Sequence, residues 1–190
     1  MIFDIHWKRY DAWYDRNRDL FKKELDFIRK NIESFNLGLE VGVGSGRFAN
    51  ELGIEYGIDI SIQMLKLAKE RGIEVVRGDA SHLPFKRVFD AVFFIFTICF
   101  LKDPLQALIS ARNVLVEGGK ILICAIPKES KLSEEYSKKK NLFYNFAKFY
   151  TSNEIVKMLK EAGFSVVKTD FENLKYGKDI FIALGINEKV

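Results

Sequence analysis

Apolar residues first fall into a helical rhythm. Phe21, Leu25, Ile28 and Ile32 recur at i, i+4, i+7 and i+11, which places them on one helix face. From Leu37 the rhythm changes, and short apolar runs alternate with stretches of helical spacing. Leu37–Val41, Tyr56–Ile60, Glu74–Arg77, Asp90–Phe96 and Lys120–Ile126 read as strands. Between them, Arg47–Leu52, Ser61–Arg71 and the stretch opened by Asp103-Pro104 read as helices. In the second helix Ile62, Leu65 and Ala68 point inward and Gly72 is the stop. In the third, Asp103 is the N-cap, Pro104 opens the first turn, and Leu105, Leu108, Ala111 and Leu115 form the inner face. Gly118-Gly119 is expected to end it. The Asp90–Phe96 run is apolar without a break, as in a strand covered on both faces.

Strand–helix alternation predicts a parallel sheet with helices on both faces. Right-handed crossovers then put a ligand crevice at the carboxyl ends of the first strands. The rhythm breaks over residues 128–150, a charged and then aromatic stretch longer than ordinary α/β connections. Thr151-Ser-Asn-Glu154 is a capping box ahead of Ile155, Met158, Leu159 and Ala162, and Gly163 closes that helix. Phe164–Thr169 and Ile180–Ile186 read as two more strands, with a link short enough for a hairpin. The expected fold is α/β, a Rossmann-like three-layer sandwich on a mostly parallel seven-stranded sheet with an antiparallel last strand. It forms one domain over residues 1–190, with 1–36 as an N-terminal helical cap and 128–150 as a substrate-side insertion.

The first strand runs into Gly42-Val-Gly44-Ser-Gly46 and then a helix. Glycines there permit φ > 0 and leave no Cβ between the backbone and a ligand, so strand, turn and helix N-terminus form a nucleotide cradle. The dinucleotide pattern G-x-G-x-x-G wants a third glycine where Arg47 stands. Asp59 and Asp79 fall at the ends of the next two strands, on the same sheet edge, and the second of these acids is not part of the dinucleotide pattern. Ahead of all this lies His6-Trp-Lys-Arg-Tyr10-Asp-Ala-Trp-Tyr14-Asp15, rich in aromatics. It reads either as a helix docking on the body or as a flap whose Tyr hydroxyls contact a ligand.

Composition narrows the class. With 190 residues, 48% hydrophobic and 29% charged, the chain has a full globular core. A net charge of +4, with no dense basic run outside Lys138–Lys140, does not favour nucleic acid. The longest apolar run, Ala91–Leu101, is shorter than the roughly 20 residues that span a bilayer. Charges from Asp4 onward do not suit a signal peptide, so a cytoplasmic location is expected. Cys99 and Cys124 sit in apolar stretches and read as buried thiols, with a disulfide between them left open. No metal site is expected.

In several ordered blocks the chain resembles the class I S-adenosylmethionine-dependent methyltransferases, in particular the small-molecule, ubiquinone/menaquinone methyltransferase-like group of methyltransferase type 11. The blocks are Leu39-Glu-Val-Gly-Val-Gly-Ser-Gly46, Gly57-Ile-Asp-Ile-Ser61 with Met64-Leu65, and Gly78-Asp-Ala-Ser-His-Leu-Pro-Phe85. Phe89-Asp-Ala-Val92 through Asp103-Pro104, Ala111 through Gly118-Gly119 to Ile123, and Glu161-Ala-Gly-Phe164 follow in order. The resemblance implies S-adenosylmethionine as cofactor, S-adenosylhomocysteine as product and a small-molecule acceptor. It implies Asp59 on the ribose hydroxyls, Asp79 on the adenine amino group with the Ala80 amide facing the ring, and Ile60 and Met64 packed on adenine. Glu40 and the Gly42, Gly44 and Gly46 backbone would lie against the methionine and ribose portions, and Phe96 and Thr97 would border the sulfonium. Met64 and Thr97 also read as ordinary packing, and Asp59 and Asp79 as loop acids.

Methyl transfer from a sulfonium is an in-line displacement needing alignment and exclusion of water, with a base only where the acceptor must lose a proton. Family members that carry histidine after the fourth strand differ here, where Cys99 and Phe100 stand. His6, His82, Tyr10, Tyr14 and Tyr144 are base candidates by type, with His82 reading as surface, and no catalytic residue is singled out. Cys99 reads as apolar core more readily than as a nucleophile. Tyr10, Tyr14 and Tyr144 are candidate acceptor contacts, since the N-terminal segment and the 128–150 insertion should build that site; its lysines could instead meet an acidic group. A non-catalytic binding module for the same cofactor, and an NAD-linked oxidoreductase, are the competing readings. The chain is expected as a monomer or homodimer.

Overall fold

The computed structural model describes residues 2–138 and 142–188. Lys139 and Lys140 of the basic run, and Asn141 of the insertion, lie outside the described residues. Three helices open the chain: α1 (Ile2–Ile5), α2 (Trp7–Arg16) and α3 (Arg18–Asn31). Then β1 (Gly38–Val41), α4 (Arg47–Leu52), β2 (Tyr56–Asp59), α5 (Ile62–Glu70), β3 (Glu74–Arg77) and β4 (Phe89–Ile95) follow. The second half holds α6 (Pro104–Val114), β5 (Leu115–Ala125), α7 (Lys131–Lys138), α8 (Ser152–Glu161), β6 (Ser165–Glu172) and β7 (Ile180–Ile186).

The seven strands form one sheet in the order β3-β2-β1-β4-β5-β7-β6. β7 runs antiparallel to both β5 and β6, and the other described pairings are parallel. Side-chain direction alternates along each central strand, so one unbroken apolar run feeds two cores. Val92 and Phe94 join Ile121, Ile123, Phe181 and Ala183 under α6 and α8. Phe93 and Ile95 join Leu122, Cys124, Ile182 and Leu184 beneath α3, α4 and α5. Cys99 and Cys124 are both free thiols.

Local chemistry sets three of the helix starts, those at Asp103 and Thr151 as expected and that at Ser61 in addition. Ser61 Oγ accepts the Met64 N–H and Asp103 Oδ1 accepts the Gln106 N–H. The Thr151/Glu154 box closes both ways, at 3.1 and 2.7 Å. Each such cap contributes about 1 kcal/mol.

Several boundaries differ from the expectation, the end of α6 and start of β5 most of all. Gly118-Gly119 does not end α6, which stops at Val114; both glycines lie inside β5. There the register with β4 skips from Leu115 to Lys120, and Asn187 pairs with both glycines while its side-chain amide donates to the carbonyls of Leu115 and Val116. The glycines therefore form a bulge that accommodates the chain's last strand end. Strand β4 also ends one residue early, because Phe96 takes φ 52°.

The β6–β7 turn is organised by one carboxylate. Buried Asp179 accepts, at one oxygen, the N–H groups of Leu174, Lys175, Tyr176 and Gly177 at 2.6–3.1 Å. Burial pushes its carboxyl up, but those four donors outweigh it and hold it below the usual carboxylate range.

Gly46 has φ 78°, and a Cβ there would lie 2.9 Å from the Ala68 Cα of α5; Gly53 has φ 70° with open space around it. Gly46→Ala should therefore cost about 2 kcal/mol more than Gly53→Ala, since only the first adds overpacking to backbone strain. Urea unfolding of the two variants measures the difference; equal costs would refute the close helix–turn contact.

Candidate functional site

The carboxyl ends of β1, β2 and β4 open onto a cavity of about 420 Å³. Its size lies in the range of about 300–1,000 Å³ seen for small-ligand sites. Gly42, Gly44, Asp59, Ile60, Met64, Asp79, Ala80, Phe96 and Thr97 all line it, so nine of the expected residues, drawn from positions 42–97, converge on one cavity. Two expected residues do not. Glu40, buried, and Gly46 are absent from the lining.

The three glycines do different things. A Cβ on Gly42 would sit 2.3 Å from Thr97 Cγ2, so this glycine lets β1 and the end of β4 close up. Gly46 packs on α5. Of the three, only Gly44 would place a Cβ where it meets no protein atom, and Gly44 lines the cavity, so its bare backbone faces open space there. The turn is tied down by Ile58, whose carbonyl accepts the N–H groups of Gly42 and Val43.

Asp59 accepts from the Gly44 N–H at 3.0 Å and from the Ser61 N–H at 2.8 Å. Burial pushes its carboxyl above the usual range against those two bonds. The acid therefore braces the glycine turn and keeps further acceptor capacity for a ligand. Asp79 is exposed at the cavity mouth; hydrogen bonds from the Ser81 hydroxyl and N–H hold it below the usual range. Thr97 Oγ1 donates to Gly42 O and Ile95 O, fixing turn to strand. Glu40 keeps one buried oxygen without a partner, and burial raises its carboxyl well above the ordinary value.

Arg47, in the place of the missing dinucleotide glycine, is the unexpected anchor. Its guanidinium grips Asp11 through two bonds of 2.8 and 2.9 Å and Asp15 through two of 2.9 Å. Arg71 adds a bond to Asp11 and one to the Ser45 carbonyl in the turn itself. Burial raises the Asp11 carboxyl, but bonds from Arg47, Ser45 and Arg71 outweigh it and bring it to about 2. Farther up, Ser61 Oγ donates to Asp4 at 2.6 Å. Helices α1 and α2 are thus held over the cradle, and Phe3 and Tyr10 become walls of its cavity.

A second cavity, of about 590 Å³, lies beyond. Tyr10 and Phe96 line both. Tyr14, Trp13 and Glu24 come from α2 and α3, Tyr136 from α7, Phe143 and Tyr144 from the segment after it. Tyr136 and Tyr144 stack at 4.5 Å, and Tyr10 meets Phe143 at 5.1 Å and Tyr14 through their hydroxyls at 3.2 Å. The three expected tyrosines are therefore together. Burial pushes Tyr10 up to about 12 and Tyr14 and Tyr144 well above their ordinary value, which makes them hydrogen-bonding walls rather than bases at neutral pH. His6 and His82 line neither cavity; His82 is exposed and meets Ser81. Burial also raises the Cys99 thiol to about 12, so no nucleophile sits there.

Glu24 was not anticipated. It is buried at 7% exposure, and burial alone pushes its carboxyl up to about 8. A signal existed: Glu24 follows Phe21 by three residues and precedes Ile28 by four, so an acid stands on the apolar stripe of α3. Among the described residues no group of three or more His, Cys, Asp or Glu could hold a metal ion. No helix there is long and apolar enough to cross a membrane.

Residues 39–123 match a family described as a methyltransferase domain. An uncharacterized protein of Methanocaldococcus jannaschii is 39% identical over 170 residues, 88% of this chain and 82% of that one. A demethylmenaquinone methyltransferase of Thermobifida fusca is 34% identical over 138 residues, of which the match covers 58% of that protein. A solved Thermotoga maritima structure, described as a SAM-dependent methyltransferase and possible histamine N-methyltransferase, aligns with a TM-score of 0.89 at 32% identity, over 98% of this chain and 99% of that one. Fold, cradle and relatives agree, and the chain belongs to the S-adenosylmethionine-dependent methyltransferases.

Proposed function

We propose that this enzyme methylates a small molecule seated in the aromatic cavity, with S-adenosylmethionine in the cradle beside it. The observation that supports this most is the shared wall: two cavities, one lined by the cradle and one by aromatics, are both bordered by Tyr10 and Phe96. The residues of the cradle fit the cofactor, through the bare backbone at Gly44, an acid at the end of β2 with acceptor capacity to spare, and a second acid at the mouth. Asp59 would hold the ribose hydroxyls and Asp79 the adenine amino group beside Ala80. Ile60 and Met64 would cover the adenine ring. Phe96 and Thr97 stand at the end of β4, where the two cavities meet.

Bound there, the cofactor supplies a methyl group already activated on a sulfonium. The protein is left to align the acceptor and keep water out, which the clamped helices and the aromatic walls do. Glu40 and Gly46 act from behind, by packing and by carrying the turn. One relative is described as a demethylmenaquinone methyltransferase and another as a possible histamine N-methyltransferase, so the acceptor is read from this chain's own cavity. The stretch 128–150 serves it, since Leu132, Tyr136, Phe143 and Tyr144 are among its walls.

Asp59→Asn keeps the side chain's size, and should weaken S-adenosylhomocysteine binding at least tenfold by calorimetry while the unfolding temperature shifts only a few degrees. Gly44→Ala should weaken it too, by placing a methyl in ligand space. Unchanged affinity in both would refute the cradle assignment. Arg47→Ala should speed proteolytic cleavage within residues 1–20 several-fold, and S-adenosylhomocysteine should slow cleavage of the native chain. Equal cleavage of variant and native chain would sink the clamp.

A further inference from the structure

We propose that the acceptor is a small aromatic or apolar amine, recognised by Glu24 and the tyrosines facing it; this rests on the reading of the aromatic cavity as the acceptor site. Glu24 is the buried acid among that cavity's lining residues. No described hydrogen bond or ion pair reaches its carboxyl, although buried carboxylates are ordinarily paired or coordinated. An acid placed without a partner on the apolar stripe of a helix, and opening into a cavity, awaits a donor from outside the chain.

The surroundings favour a cation. Tyr10 and Tyr14 from α2, Tyr136 from α7 and Tyr144 beyond it line the same cavity as Glu24, and an ionised Glu24 would raise the pKa of each, as it would that of buried Cys124 of β5. Aromatic faces around a carboxylate suit an organic ammonium, through cation–π attraction and a charge-assisted hydrogen bond. Charges of the other sign sit at the edge. Arg9 and Arg16 are exposed on α2, and Lys175 is engaged by Glu135 and Tyr176, so water and partners blunt them. Glu24, once ionised, is instead buried at 7% exposure, where a counter-charge is worth more.

The proton inventory follows from burial. With its carboxyl near 8, Glu24 is mostly protonated at pH 7 in the empty cavity. An ammonium guest that pairs with Glu24 displaces that proton, and the same single proton is lost if the guest instead arrives as ammonium and settles as neutral amine beside the protonated acid. Only the neutral amine has a lone pair to attack, so at transfer Glu24 holds the guest's proton; the nitrogen then forms an N–C bond to the methyl carbon, the S–C bond breaks with its electron pair going to sulfur, and a methylated ammonium and a neutral thioether are left.

The test uses the chain saturated with S-adenosylhomocysteine. Phenethylamine and tryptamine are titrated by calorimetry at pH 7 in phosphate and in Tris, beside the matching neutral alcohols and carboxylates. The amines should bind at least tenfold tighter than either counterpart and release close to one proton, read from the dependence of enthalpy on buffer. Glu24→Gln should erase both the preference and the proton release while S-adenosylhomocysteine affinity stays unchanged; Glu24→Met serves in its place should the amide variant not fold. Amines binding no better than the alcohols or carboxylates, lack of binding included, would overturn the proposal, as would a preference that survives loss of the carboxylate. Failure of the native chain to bind S-adenosylhomocysteine would instead strike at the cradle.

Discussion

Two aspartates of one helix, held by an arginine of the glycine turn, decide what kind of site this chain can build. The Asp11–Arg47–Asp15 grip, extended by Arg71 to the Ser45 carbonyl, is what brings α1 and α2 over the sheet edge. The side chains of Arg47 and Asp11 are 16% and 15% exposed, so this is a half-buried network rather than a solvated pair, and such bidentate contacts carry more than isolated surface bridges. Phe3, Tyr10, Tyr14 and, through the following helix, Glu24 reach their places because of it.

The cradle was legible because its signals are local and chemically restrictive. A strand followed by Gly42, Gly44 and Gly46, and acids closing the next two strands, leave few arrangements once right-handed crossovers are assumed. The helix caps were equally open to reading, since Thr151 and Glu154 need only each other. What stayed hidden depends on distant partners. Arg47 could be seen to exclude a dinucleotide, but nothing around it in sequence names Asp11 and Asp15, 36 and 32 positions away. Gly118-Gly119 looked like a helix stop because the strand end that it receives, at Asn187, lies at the far end of the chain. The division of labour among the three glycines likewise depends on Thr97 and Ala68.

Phe96 shows local and global demands in conflict. A phenylalanine at φ 52° is in a region that costs on the order of 1–3 kcal/mol outside glycine. Its N–H is bonded to Cys124 O at 2.8 Å and its ring packs 5.7 Å from Phe48, so strand pairing and core contact hold it there. The conformation ends β4 and turns the ring to where the two cavities meet.

The four N–H groups collected by Asp179 reach further than the turn they close. Leu174 and Lys175, both so held, stand in the wall of the aromatic cavity, opposite residues contributed by α2 and α3 near the other end of the sequence. The aromatic cavity is thus walled by chain outside the Gly42–Asp79 stretch that carries the glycine turn and both acids of the cradle. Apart from Tyr10 and Phe96 the two cavities share no lining residue, so change in those outer segments can reshape one while leaving most of the other as it is. One sheet can in this way carry a constant cavity beside a variable one, the second built at its margins.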